Sequence, residues 1–358
     1  MATNYEHHLL DRLGITVPII QAPMAGVSSP AMAAAVSESG GLGSLGVGAM
    51  SAAKAREAIH QFRKQSAGPL NINVFVHQPA RANKQKEATW VERLRPQFER
   101  FGAAPPDALH EIYTSFLSDP DMLAMFVEEK PQIASFHFGL PPRPQIEALR
   151  NAGIVLLATA TNVEEAKAIK AAGIDAIIAQ GYEAGGHRGM FDPDVEDSRL
   201  GTLALTRVLA REIDLPVIAA GGIMDGAGIA AALSLGASAV QMGTAFIATD
   251  ESLADASYRE RLFSDAAHHT IMTRAISGRP ARSLANDFTH LGTSVSDNSI
   301  PDYPIAYDAG KALNAAGKAA GQTGYGAQWA GQGAPLARAM PTHALMQALK
   351  SELDQALS

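Results

Sequence analysis

The sequence predicts an α/β protein folded as a closed (β/α)8 barrel with a mostly helical cap, and three observations carry that expectation. Eight short apolar, β-suited runs recur without polar alternation, as strands covered on both faces do. Between most of them lies an amphipathic stretch that a capping residue opens and a glycine closes. Aromatic residues make up only 6% of the chain while alanine and glycine abound, which suits helices packed closely on a sheet better than a β-sandwich. A doubly wound sheet is the poorer alternative for so many strand–helix alternations in about 230 residues.

The first strand is read in PIIQAPM (18–24), after which Ser29-Pro30 opens a helix that stops at Gly40. The second is GLGSLGV (41–47), and Ser51 caps the helix that follows it. In the third, LNINVFV (70–76), Asn73 is costly to bury unless its amide is paired, so it is satisfied by backbone or faces a ligand. Residues 77–132 then hold Trp90, Pro105-Pro106 and two helical patterns, more than one crossover helix needs. Strands four to six are IASFHFG (133–139), IVLLATA (154–160) and DAIIAQG (175–181), with Asn162 opening the helix between the last two. Strands seven and eight, PVIAAGG (216–222) and AVQMGTA (239–245), flank a helix that Asp225 begins and Gly236 ends. Residues 250–339 are polar and glycine-rich. Both insertions leave from C-terminal strand ends, the catalytic face of barrels. The expected division is therefore 1–76, 133–249 and 340–358 for the barrel, and 77–132 with 250–339 for a cap over the site.

A formal charge of −7 and a pI near 5.9 give no general attraction for phosphate backbones or anionic lipid, so neither nucleic acid nor membrane is an expected partner. Absence of cysteine removes disulfides, thiol nucleophiles and cysteine metal sites, and leaves redox chemistry to a bound cofactor. The N-terminus has no basic region before an apolar core, and no window offers ~18 uninterrupted apolar residues, so a cytoplasmic location is expected. The adjacent pair His7-His8 is read as solvated, and no metal set is expected.

The segment QGYEAGGHRGMF (180–191) sets a glycine-loosened loop with one histidine directly after the sixth strand. Gly185, Gly186 and Gly189 let backbone N–H groups approach a ligand closely, and His187 stands over it as the candidate acid/base group. Gly221-Gly222 and Gln241-Met242-Gly243-Thr244, at the ends of strands seven and eight, are where barrels commonly bind phosphate. Pro23-Met24 at the first strand end leaves room for something flat, and a planar, polar-edged group would satisfy Asn73. Together these features suggest flavin mononucleotide. His137, between Phe136 and Phe138, projects toward the top of the barrel and reads as a packed, hydrogen-bonded histidine, with a catalytic role as the poorer alternative. In the cap, Tyr303, Tyr307 and Lys311 fall at i, i+4 and i+8, one face if helical, where phenols and an ammonium can bind a small carboxylate; Tyr113 is a candidate to join them. Glu164-Glu165 and Asp192 to Asp197 read as a solvated helix turn and an exposed acidic loop.

These residues resemble the nitronate monooxygenase family, specifically its bacterial class I branch, through QAPM (21–24), SFHFGLP (135–141), ATATNVEEA (158–166) and the 180–191 segment, with the Tyr303, Tyr307, Lys311 wall. The resemblance implies a barrel binding one non-covalent FMN at Met24, Asn73, Gln180, Gly185, Gly222 and Gln241 to Thr244. It also implies oxidation of alkyl nitronates, especially propionate 3-nitronate, by dioxygen through a flavin semiquinone, giving an aldehyde with nitrite and nitrate. His187 would face ring and nitronate, with Tyr113, His137, Tyr303, Tyr307 and Lys311 around the substrate.

Three other readings compete. An NAD(P)H-dependent quinone or enoyl reductase would share the flavin contacts, and a non-catalytic flavin-binding barrel would share them without turnover. A sugar-phosphate isomerase or aldolase usually needs a strand-end lysine, and the eight strands contain none. Monomer and homodimer are both open.

Overall fold

The computed structural model describes residues 4–358, with side chains from Leu9 onward, so the side chains of His7 and His8 lie outside the described part. The first half of the barrel is β1 (Ile19–Gln21), β2 (Gly43–Gly46), β3 (Leu70–Phe75) and β4 (Ile133–His137). Next come β5 (Val155–Ala160) and β6 (Ala176–Gln180), then a two-residue strand outside the barrel, β7 (Gly186–His187). Finally, β8 (Val217–Ala220) and β9 (Ala239–Met242) complete the set. Neighbours pair in parallel from β2 round to β9, β9 pairs with β1, and the bridge between Ile20 and Leu42 closes β1 onto β2. The expected closed barrel is thus the observed architecture.

Around the strands, after α1 (Asn4–Leu13), stand α2 (Pro30–Glu38) and α3 (Ala52–Arg63). Ser29, Ser51, Asn162 and Asp225 each accept a backbone N–H three residues on, so the anticipated N-caps form as side-chain hydrogen bonds worth ~1 kcal/mol apiece. Helix α2 lies so close to β2 that a Cβ at Gly43 would stand 2.1 Å from Ala33 O, a contact only glycine permits.

The 77–132 insertion divides in two. Helix α4 (Lys84–Arg100) buries Trp90, Leu94 and Phe98 in a cap core with Phe288, Ile305 and Leu313. Helix α5 (Pro120–Glu129) instead sets Met122, Met125 and Phe126 in the barrel core with Ile72 and Val74. It contacts both α3 and α6 (Arg143–Asn151), so it occupies the crossover place between β3 and β4. The ring continues with α7 (Val163–Ala171), α8 (Thr202–Glu212) and α9 (Gly226–Ser234).

After β9, the short α10 (Thr244–Ile247) and α11 (Ala256–Leu262) lead into a hairpin, β10 (Thr270–Thr273) and β11 (Ala281–Leu284). β11 pairs antiparallel with β7, which ties the loop after β6 to the cap. This small sheet is a non-helical part of a cap expected to be mostly helical. Helices α12 (Asp287–Thr293) and α13 (Ile305–Ala319) follow, and α14 (Thr342–Leu357) returns to pack on α9 and α2. Among the described residues no helix is long and apolar enough to cross a membrane.

Candidate active site

At the C-terminal ends of the strands lies a cavity of about 360 Å³. The strand ends supply Met24, Asn73, Gln180, Gly185, Gly222 and the run Gln241 to Thr244; the cap supplies Tyr113, Tyr303, Tyr307 and Lys311. His137 and His187 line it too, so the candidate cofactor and substrate residues border one space, whereas Gly189 lies outside it.

The loop after β6 is held from within. Gln180 donates through Nε2 to His187 O at 3.0 Å and accepts at Oε1 from Gly189 N at 2.7 Å, so its amide is engaged in shaping the loop. Arg188 is buried, donates to Gln180 O and forms a bidentate pair with Asp197 at 2.7 and 3.0 Å. Gly189 packs where a Cβ would meet Thr159 Cγ2 at 2.6 Å. A Cβ at Gly185 would meet Gly331 N at 2.4 Å, so the close approach made by this glycine is to protein backbone from the cap.

One reading of an acidic residue is corrected. Glu165 is buried and accepts from Thr161 N, Thr161 Oγ1 and Phe191 N, because these donors at the end of β5 and in the 180–191 loop have no strand partner there. The acidic stretch 192–197 is largely exposed, as expected, with two of its carboxylates paired: Asp197 holds Arg188, and Asp194 pairs with Arg81 and Arg274.

Asn73 spends its N–H groups on Ser135 O and Oγ at 3.1 and 3.0 Å, which leaves Oδ1 as the atom it can offer a ligand. Gln241 Oε1 is buried without a partner in the cavity wall. An orphaned acceptor of this kind costs ~1–3 kcal/mol unless a ligand N–H meets it. Gly243 has only ordinary contacts around its Cβ position, Ala22 Cβ at 3.5 Å and Met24 Sδ at 3.6 Å. The residues present therefore fit a planar group with polar edges.

His137 has both nitrogens engaged. Nε2 faces a carbonyl, His187 O, at 3.1 Å and must carry the proton, so Nδ1 accepts from Thr159 Oγ1 at 3.1 Å. His187 meets Ser277 Oγ through Nε2 at 2.8 Å. Its ring lies 5.1 Å from Trp329, 5.3 Å from Tyr303 and 5.6 Å from Phe138, centre to centre. Burial lowers the pKa of both histidines, to about 4 for His137 and about 3 for His187, with Arg279 nearby adding to the effect. Both rings are neutral at physiological pH.

Tyr307 and Lys311 sit on one face of α13, but Tyr303 precedes the helix, because Pro304 disfavours helical backbone at the residue before it. All three still line one cavity: the Lys311 ammonium lies 4.8 and 5.6 Å from the ring centres of Tyr113 and Tyr307, which meet edge to face, and the Tyr303 ring lies 6.3 Å from that of Tyr113. Burial raises the Tyr113 pKa to about 12 and those of Tyr303 and Tyr307 as well, so these phenols stay protonated as donors.

Several neighbours of the site carry no sequence period that marks them. Trp329 and Tyr258 line the cavity, and Tyr258 donates to Trp329 O. Phe138, with φ of +76°, touches the rings of Phe75, His77, His137, His187 and Tyr303. Arg279 is buried 4.2 Å over the Phe138 ring and donates to Met190 O, with no carboxylate of the described residues in contact. The one available signal was the Ser277-Gly278-Arg279-Pro280 turn pattern. Among the described residues no cluster of histidine and carboxylate side chains could hold a metal ion.

Comparison with known proteins gives a consistent answer. Residues 6–352 match the family pattern described as nitronate monooxygenase. The chain is 62% identical over 349 residues to a nitronate monooxygenase of Paraburkholderia phytofirmans, covering 98% of this chain and 95% of that one. It is 53% identical over 341 residues to one of Pseudomonas aeruginosa, with 95% and 97% covered. The solved structure of a nitroalkane oxidase from Streptomyces ansochromogenes superposes with a TM-score of 0.89 at 40% identity, over 98% of this chain and 99% of that one. With the family pattern running almost end to end, this chain belongs to the nitronate monooxygenase family of oxidoreductases.

Proposed function

We propose that the protein oxidises alkyl nitronates, propionate 3-nitronate in particular, with dioxygen on one non-covalent FMN, releasing an aldehyde with nitrite and nitrate. The observation that carries this reading is the pairing of a polar wall, the partnerless Gln241 Oε1 with Asn73, whose N–H groups are spent on Ser135, with a tyrosine–lysine wall in the same cavity. Met24, Asn73, Gln180, Gly185, Gly222, Gln241, Met242, Gly243 and Thr244 would hold the flavin across the strand ends. The chemistry such a group supplies when bound is one-electron exchange between the electron-rich C=N bond and dioxygen.

The chain's own residues bind and orient. Lys311, with Tyr113 and Tyr307 against its ammonium, is placed to take a carboxylate at the cavity wall. His187 orients the nitro oxygens, while Tyr303, Trp329 and Phe138 restrict water around it. A charge-assisted contact is worth about 1.5–3 kcal/mol, so Lys311→Met should raise KM for propionate 3-nitronate by roughly one to two decades. An alkyl nitronate that lacks a carboxylate should be unaffected. Equal KM values for the two enzymes on propionate 3-nitronate would mean that the lysine faces solvent.

The reading as a whole is tested by anaerobic absorbance spectra of the purified protein before and after propionate 3-nitronate, and separately NADH. A one-electron change in flavin absorbance with the nitronate alone supports it. Full bleaching by NADH would replace it with a reductase, and a colourless protein would remove the cofactor.

A further inference from the structure

We propose that Ser277 fixes the tautomer of His187, keeping its proton on Nδ1 so that the neutral ring offers a hydrogen-bond donor to the nitro oxygens of an anionic substrate. The identity of that substrate rests on the nitronate reading above; the tautomer does not.

Ser277 is fully buried, and its hydroxyl has one proton with two destinations, His187 Nε2 at 2.8 Å and Arg279 O at 3.2 Å. The shorter contact is to the imidazole nitrogen, the stronger base of the two. Arg279 N donates back to Oγ at 3.4 Å, which occupies one of its lone pairs and favours the hydroxyl acting as donor toward the ring. A neutral imidazole that accepts at Nε2 must carry its proton at Nδ1. Among the described residues Nδ1 has no protein partner, and His187 lines the cavity.

The chemistry of the substrate requires this arrangement. Nitronate oxygens are acceptors only, so an unprotonated Nδ1 would set lone pair against anion. Protonating the whole ring is not an alternative source of a donor, because burial beside His137, Arg279 and His77 holds the His187 pKa at about 3.

Both partners are fixed by backbone. Ser277 N and Gly278 N donate to Arg274 O at 3.2 and 2.7 Å, and Gly278, with φ of +91°, packs where a Cβ would lie 2.5 Å from Pro301 O. His187 is held by the β7–β11 pairing opposite Ala281. His137, whose Nε2 must donate to His187 O, has the opposite tautomer, so the molecule contains its own reference. Ser277 is thus a positioning residue acting through His187.

The experiment is a long-range proton–nitrogen correlation spectrum of the flavin-loaded protein with 15N-labelled histidine at pH 7. Signals are assigned through His187→Asn and His137→Asn. The expected result is Nδ1–H for His187 and Nε2–H for His137. Ser277→Ala should move His187 to Nε2–H or a mixture and raise KM for nitronate about tenfold with kcat little changed, whereas Ser277→Thr should retain the wild-type pattern. A wild-type His187 protonated on Nε2 overturns the proposal, as does an unchanged tautomer in Ser277→Ala. If Ser277→Ala does not fold, the wild-type and Ser277→Thr spectra still decide. An Nδ1–H tautomer in a protein that turns over no nitronate would leave the assignment standing and remove only the substrate.

Discussion

His187→Asn should keep oxidation of a pre-formed nitronate within about tenfold of wild type while reducing any turnover of the neutral nitroalkane by roughly 10²-fold or more. The asparagine amide places a nitrogen donor near the position of Nδ1, so a hydrogen bond to the nitro oxygens can survive the substitution. The imidazole that would take the α-proton does not survive it. General-base catalysis is typically worth 10²–10⁴-fold, which sets the scale of the second loss. The wild-type base is itself weak, since burial leaves His187 with a pKa of about 3, and the proton on Nδ1 must first move to Nε2, with Ser277 turning to Arg279 O. Preference for the pre-formed anion is therefore built into the site. Steady-state assays on a nitroalkane and on its equilibrated nitronate distinguish the roles: equal losses on both would remove the base assignment.

The architecture was legible because its determinants are local. Apolar runs without alternation, and caps such as Ser51 and Asp225 three residues ahead of a waiting N–H, specify strands and helices without knowledge of the partner. The candidate site residues at strand ends were legible for the same reason, since Asn73 is a polar interruption of an apolar strand and His187 is the one histidine of a glycine-rich loop directly after another. What was not legible depends on distant chain. Glu165 reads as one more charge on a helix until Phe191 N arrives from 26 residues away. Ser277 and Arg279 lie in an aperiodic turn, and their proximity to His187 follows from the pairing of β11 with β7, a two-residue strand too short to leave a pattern. Helix α5 shows the same limit: its sequence is amphipathic in either location, and the packing of Met125 and Phe126 beside Ile72 places it on the barrel.

Acidification should destabilise the protein well above the carboxylate range, beginning as pH falls below 6.5. Burial lowers the pKa of His77 and His137 to about 4 and of His187 to about 3, so all three remain neutral in the folded state while the unfolded chain takes up protons near 6.5. Between pH 6.5 and about 4 the unfolded state binds more protons, and stability therefore rises with pH through that window and levels off above it. At 1.36 kcal/mol per pKa unit, the loss by pH 4.5 is roughly 2–3 kcal/mol per histidine. The depressed carboxyls of Asp194 and Asp197 act in the same direction but only below their unfolded value of 3.8, so the two sets of groups separate on the pH axis. His77 is the group to remove. It is buried, neither ring nitrogen makes a hydrogen bond of good geometry, and its ring meets Tyr303 edge-on at 5.0 Å, an arrangement that phenylalanine can reproduce. His77→Phe should leave stability at pH 7 unchanged or higher and reduce the slope between pH 6 and 5 by about one proton, or ~1.4 kcal/mol per pH unit. Urea unfolding at pH 7, 6 and 5 measures both quantities, and parallel slopes for the two proteins would mean that His77 titrates normally in the fold.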